Sequence, residues 1–233
     1  MRYSLPLAPQ GFNAAAQTRK TLAETGVLAA IQPGQSVAIT ISSREISQLA
    51  VILKTLVDEV YALGAKPFLF PAMGSHGGAT AEGQTRLLQG LGIEETTGEA
   101  PLRATMDTVV IGHTADGVEC HIDAHADKAD HIIVINRIKP HTSFRCKVES
   151  GLQKMITIGM GKQKGAENCH KNGFSSTIVN VPAIAAVILE KKNILCGIGI
   201  MENAFHETAH VDVLTKREIL EREPEPLQQS WAL

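Results

Sequence analysis

Residues His131–Lys154 read HIIVINRIKPHTSFRCKVESGLQK. The opening HIIVIN is a short, unbroken apolar run rich in β-branched residues, the pattern of a strand buried in a sheet. The stretch that follows, KPHTSFRCKVESGLQK from Lys139 to Lys154, crowds a histidine, an arginine, three lysines and a glutamate among small residues. Pro140 stiffens the exit from the strand and orients what comes next. A charged surface loop and a site built on a strand end both fit this composition, so the neighbouring segments have to decide.

Similar apolar runs recur on either side: SVAIT (Ser36–Thr40), KPFLFPA (Lys66–Ala72), DTVVIG (Asp107–Gly112) and NILCGIGIM (Asn193–Met201). Segments with helical spacing separate several of them. Glu45–Gly64 is apolar at helical intervals and ends on a glycine suited to a C-cap. Thr80 can cap a helix over Ala81–Gly92, and Asn180–Lys192 reads as a helix with Pro182 in its first turn. Strands alternating with helices predict an α/β fold, a mostly parallel sheet with helices on both faces, Rossmann-like in plan. Ligands of such sheets sit at the carboxyl ends of the strands. GSHGG (Gly74–Gly78) and KPHTSFR both fall there.

The composition narrows the function. The chain has 233 residues, 44% hydrophobic and 20% charged, with a formal net charge of -2. That is a chain long enough for a sizeable core, with no basic excess to attract nucleic acid or an anionic membrane. Aromatic residues make up 4%, too few for a base-stacking platform. Cys120, Cys146, Cys169 and Cys196 are widely spaced, which suggests reduced thiols and a cytoplasmic protein. The start lacks the pattern of a secretory leader, and no run is long and apolar enough for a membrane-spanning helix.

Several groups can carry chemistry. His76 has glycines close on both sides, so backbone can approach a ligand there and the imidazole can move protons; a turn-stabilising histidine is the plainer alternative. His141 can act as a general base, and Lys154 as a nucleophile or anion clamp. GMGKQKGAENCH (Gly159–His170) is glycine-rich with two lysines, which can cradle phosphate, but it matches neither a P-loop nor a dinucleotide fingerprint. His170 can ligate a metal, with Cys169 beside it. HETAH (His206–His210) is a literal HExxH, in which His206 and His210 would bind zinc and Glu207 act as base if the segment were helical. The His- and Asp-rich stretch His113–His131 reads as a hairpin turning at Asp116-Gly117. The charged segment from Thr215 meets Pro224 and Pro226 and ends in an apolar tail holding Trp231, which is expected to dock on the body or on another chain.

GSHGGATAE, PHTSFR with ESGLQK, and KGAENCH together resemble the nickel-pincer lactate racemase family over most of the chain, in the part that corresponds to its N-terminal domain. The resemblance implies roles. Lys154, following Ser150-Gly151, would tether a pyridinium-3,5-bisthiocarboxylic acid mononucleotide through a thioamide. His170, sixteen residues beyond it, would complete the nickel coordination, a soft donor set suited to that metal. His76 and His141 would be the paired acid/base residues, and Arg44 would hold the substrate carboxylate. The reaction implied is racemisation or epimerisation of a small 2-hydroxy acid: hydroxyl proton to a histidine, hydride to the cofactor, and return of hydride to the other face of a planar keto acid.

Ile41 stands where the family places an aspartate three residues before Arg44, and the loop from His141 to Lys154 is longer than in the lactate enzymes. The family's C-terminal domain, which closes over the site, is lacking, so a separate polypeptide supplying it is an expected partner and a homo-oligomer is possible. Residues 1–222 are expected to form the catalytic domain and 223–233 a tail or the start of a second domain. A non-catalytic binding or scaffold domain and an HExxH zinc hydrolase are the alternatives.

Overall fold

The computed structural model describes residues 11–93, 100–143, 145–171 and 173–233, the side chain of Phe174 excepted. Residues 1–10, where the leader expectation rests, lie outside them. Strands β1 (Ser36–Ile41), β2 (Lys66–Pro71), β5 (His131–Arg137), β6 (Ile194–Glu202) and β7 (Thr208–Thr215) form a sheet in the order β2-β1-β5-β6-β7. The first four run parallel and β7 returns antiparallel beside β6. The expected mostly parallel α/β fold is the one observed.

The sheet forms because its strands are apolar on both faces. Ile39, Ile41, Ile133 and Ile135 point into a core shared with α1 (Ala14–Thr25) and α2 (Leu49–Ala62). Ala38, Phe68, Phe70, Ile132 and Val134 point into a second core beneath α5 (Leu152–Lys154), α6 (Lys162–His170) and α7 (Phe174–Lys191). Each fully buried Ile, Val or Phe side chain contributes roughly 1.5–3 kcal/mol relative to exposure. Helix α2 ends where Gly64 adopts φ 72. Helix α3 (Ala81–Gly90) starts where the Thr80 hydroxyl accepts the Gly83 N–H at 3.0 Å. Both signals were readable in the sequence.

Three expectations change. DTVVIG becomes β3 (Thr108–His113), which among the described residues pairs with β4 (Glu119–Asp123) in a separate two-stranded antiparallel sheet, followed by the short α4 (Ala124–Asp127), and leaves Val110 exposed. The hairpin does turn at Asp116-Gly117, where the Gly117 N–H reaches the Thr114 carbonyl at 2.9 Å. A half-buried hairpin strand with β-branched residues on both faces looks the same in sequence as a buried one. Pro182 lies inside α7, because the helix already begins at Phe174. HETAH is not helical: His206 sits in the turn between β6 and β7, and His210 lies on β7 opposite Met201. His206 and His210 therefore do not share a helix face, and the zinc hydrolase reading is discarded.

The charged segment becomes α8 (Lys216–Arg222), started by a capping box between Thr215 and Glu218. It runs into α9 (Pro224–Ala232), with Pro224 in its first turn, where a missing N–H costs least. Leu227 is buried, and the Arg145 guanidinium lies 4.5 Å from the centre of the half-exposed Trp231 ring.

Candidate functional site

Because β1, β2 and β5 are parallel neighbours, their carboxyl ends open on the same edge of the sheet. The chain leaves β1 for β2 on one side and later places β5 on the other, so the edge between β1 and β5 is a topological switch point. The loops leaving these strands line a cleft of about 510 Å3. Arg44 comes from the loop after β1, His76 from the loop after β2, and Lys139 and His141 from the loop after β5. Ser150, Lys154 and His170 complete the wall. Gly151 is buried behind the wall, with its carbonyl accepting from Asn136 Nδ2 at 2.8 Å.

The His76 loop is held from below. Gly77 has φ 67, and a Cβ there would lie 2.6 Å from the Gln84 backbone nitrogen, so glycine alone fits. Gln84 is buried and donates to the Gly74 carbonyl at 2.9 Å. The His76 ring is oriented by Ser43, whose hydroxyl lies 2.5 Å from Nδ1. Ile41, in contrast, is fully buried in the core at the end of β1. A side chain at that position does not face the cleft, and Ser43 is the polar contact this loop offers to His76.

Glu149 organises the His141 loop. Its buried carboxylate accepts the backbone N–H of His141 at 2.6 Å and of Cys146 at 3.1 Å. The Ser143 backbone N–H donates to His141 Nδ1 at 3.1 Å. A backbone N–H can only donate, so Nδ1 carries the lone pair and neutral His141 holds its proton on Nε2.

His170 Nδ1 lies 2.8 Å from the Thr177 hydroxyl, which also lies 3.1 Å from the Gly173 carbonyl. When that hydroxyl donates to the carbonyl it accepts from Nδ1–H, and Nε2 is then a bare lone pair, the form a metal ligand needs.

The electrostatics tie the groups together. Burial is the main cause lowering the pKa of His76, His141 and His170, and the Lys154 charge adds to it at all three. Arg44 contributes at His76. Lys154 is itself lowered, by burial first and then by Lys139 and Arg44, against an opposing pull from Cys169. Lys139 is lowered by burial, with Arg137 and Arg44 adding to it and Glu202 opposing. Arg137 is paired with the buried Glu202 carboxylate, which also accepts the Ser47 N–H at 2.6 Å. Arg44 and Lys139 are thus cationic groups on the cleft wall that can meet an anion.

Lys154 lies where α5 passes into a wider, π-type turn over Met155–Gly159, a local irregularity common at functional sites.

The glycine-rich segment does not cradle phosphate with Lys162. That lysine is fully buried, 3.0 Å from Asp123, and its amine donates to the Pro71 carbonyl and, at 3.3 Å, to Gln84 Oε1. A Cβ on Gly161 or Gly165 would come 2.5 or 2.9 Å from the Thr157 carbonyl oxygen, so these glycines allow α6 to pack on the π-type turn. Sequence reasoning also passed over Ser43, Asn136, Lys139, Glu149 and the buried Glu223. Asn136 and Lys139 carried a signal, a polar residue directly at the end of an apolar strand.

A mononucleotide is compatible with a cleft of this size. Among the described residues no three His, Cys, Asp or Glu side chains cluster to hold a metal. His170 would supply a single imidazole donor, and the remaining donors would come from the bound group. No helix among the described residues is long and apolar enough to cross a membrane.

The profile of the lactate racemase N-terminal domain matches residues 16–180. Among solved structures, the lactate racemase apoprotein of Thermoanaerobacterium thermosaccharolyticum superposes with a TM-score of 0.70 at 16% identity, over 96% of this chain and 58% of that one. This chain therefore spans less than two thirds of that racemase, and the likeness is one of fold. No curated protein sequence matches.

Proposed function

Since the chain belongs to the family of lactate racemase N-terminal domains, we propose that it racemises or epimerises a small 2-hydroxy acid with a nickel-pincer nucleotide tethered to Lys154. The observation that supports this most is the convergence of Arg44, His76, His141, Lys154 and His170 on one cleft, from loops far apart in sequence. The lowered pKa of Lys154 favours the neutral amine that covalent attachment requires. His170 would supply its Nε2 lone pair to nickel. The bound group supplies the acceptor and donor of hydride.

The chain's own residues handle the protons and the orientation. Arg44 holds the substrate carboxylate, with Lys139 beside it. For one enantiomer neutral His76 would take the substrate hydroxyl proton and be left charged, and an imidazolium at His141 would give its proton to the product oxygen and be left neutral. For the other enantiomer the two histidines would exchange these roles and protonation states. Their lowered pKa values keep both available as bases below the ordinary imidazole range.

The test uses protein matured with its cofactor and enantiopure 2-hydroxy acids. His76→Ala and His141→Ala are each expected to slow racemisation by roughly 10²–10⁴-fold. Wild-type rates in both variants would reject the assignment.

A further inference from the structure

Glu223 is 2% exposed, and among the described residues it makes no ion pair. A lone carboxylate is costly to bury unless its hydrogen bonds compensate. Its two oxygens accept the backbone N–H groups of Leu152, at 2.6 Å, and Gln153, at 3.0 Å. These are the first two residues of α5, whose N–H groups have no partner within so short a helix. The next residue is Lys154.

We propose that Glu223 is a positioning residue for Lys154, tying α9 to the turn that presents the amine to the cleft. The inference rests on the reading of Lys154 as the reactive lysine. Three further contacts support it. A Cβ on Gly151 would lie 1.9 Å from Glu223 Oε1, so the glycine before this turn makes room for the carboxylate. Gln153 Nε2 donates to the Ile219 carbonyl at 2.8 Å, a second tie from the same turn to α8. At its far end α9 meets the His141 loop, where Arg145 stacks on Trp231 and donates to the His141 carbonyl. The helix thus grips the segment from His141 to Lys154 at both ends. The Glu223 carboxyl is pushed up to about 7 by burial, against the pull of the Gln153 and Leu152 hydrogen bonds, as expected of a group held for its contacts.

The test reads the lysine without cofactor, on the full chain. Limiting acetic anhydride is applied across a pH series, and acetylation of Lys154 is followed by peptide mass spectrometry beside a thermal melt. Glu223→Ala releases the turn to water and should raise the Lys154 pKa. At a fixed pH below its titration, each unit of rise slows acetylation roughly tenfold. Leu227→Ala, a cavity in the same helix, should lower Tm and leave the Lys154 titration in place. If Glu223→Ala does not fold, Glu223→Gln keeps the volume and one acceptor, and should shift Lys154 in the same direction by less. An unmoved Lys154 in the folded Glu223 variant, or an equal shift in Leu227→Ala, overturns the proposal. Because no nucleotide takes part, that result would leave the racemase reading intact, whereas a missing Lys154 adduct would count against the racemase reading and leave only the Glu223 contact with this turn.

Discussion

At the scale of single residues, the Lys154 charge acts on three histidines at once. His76, His141 and His170 are each held below the ordinary imidazole pKa by burial and then by this ammonium, with Arg44 acting ahead of it at His76. Lys154→Met removes the charge and should move all three titrations upward together, as read from imidazole nitrogen shifts in NMR. A rise at one histidine with the others fixed would contradict a shared cause. The same spectra report tautomers: neutral His141 should carry its proton on Nε2 and His170 on Nδ1. Much of this was legible in the sequence as residue identity and spacing, because His141, Lys154 and His170 lie within one stretch of chain. The orienting partners were not legible. Ser43 and His76 are 33 positions apart and meet only through the parallel pairing of β1 with β2.

At the scale of elements, Lys162 decides how the His76 loop is held. Its amine reaches Asp123 at the end of β4, Pro71 at the end of β2 and Gln84 on α3. Burial lowers its pKa and Asp123 opposes that. Lys162→Ala strands the Asp123 carboxylate in the core, and breaking a buried pair in this way costs about 3–5 kcal/mol. The urea midpoint should fall accordingly; an unchanged midpoint would show that the pair does not brace the loop. This lysine could not be told from a phosphate-binding one by its local sequence, since a buried and an exposed lysine after a glycine read alike. Element types were more legible: the β1, β2, β5 and β6 runs carried their own apolar signal, whereas β3 needed its partner β4 to show that it belongs to a separate sheet.

At the scale of the whole molecule, Glu223 links folding to pH. Its carboxyl is raised from 4.5 to about 7, so between those values the native chain holds a proton that the unfolded chain has lost. Stability from this group therefore falls as pH rises through that window. The histidines with lowered pKa work the other way, gaining stability as pH rises. Glu223→Gln isolates the carboxyl: the stability of the wild type relative to this variant should decline between pH 5 and pH 8 in urea titrations, and a constant difference would contradict the assignment. The tie between residues 151–153 and 223 spans about 70 positions and had no local signal. The α/β plan and the strand-end location of the site were readable from alternating segments alone.

The central claim is that Lys154 is the attachment point of the cofactor. Intact and peptide mass spectrometry of protein matured with the nickel-pincer machinery tests it most directly. The expected result is a nucleotide adduct on the Lys154 peptide that is lost in Lys154→Ala. Protein that turns over a 2-hydroxy acid with Lys154 unmodified would contradict the account.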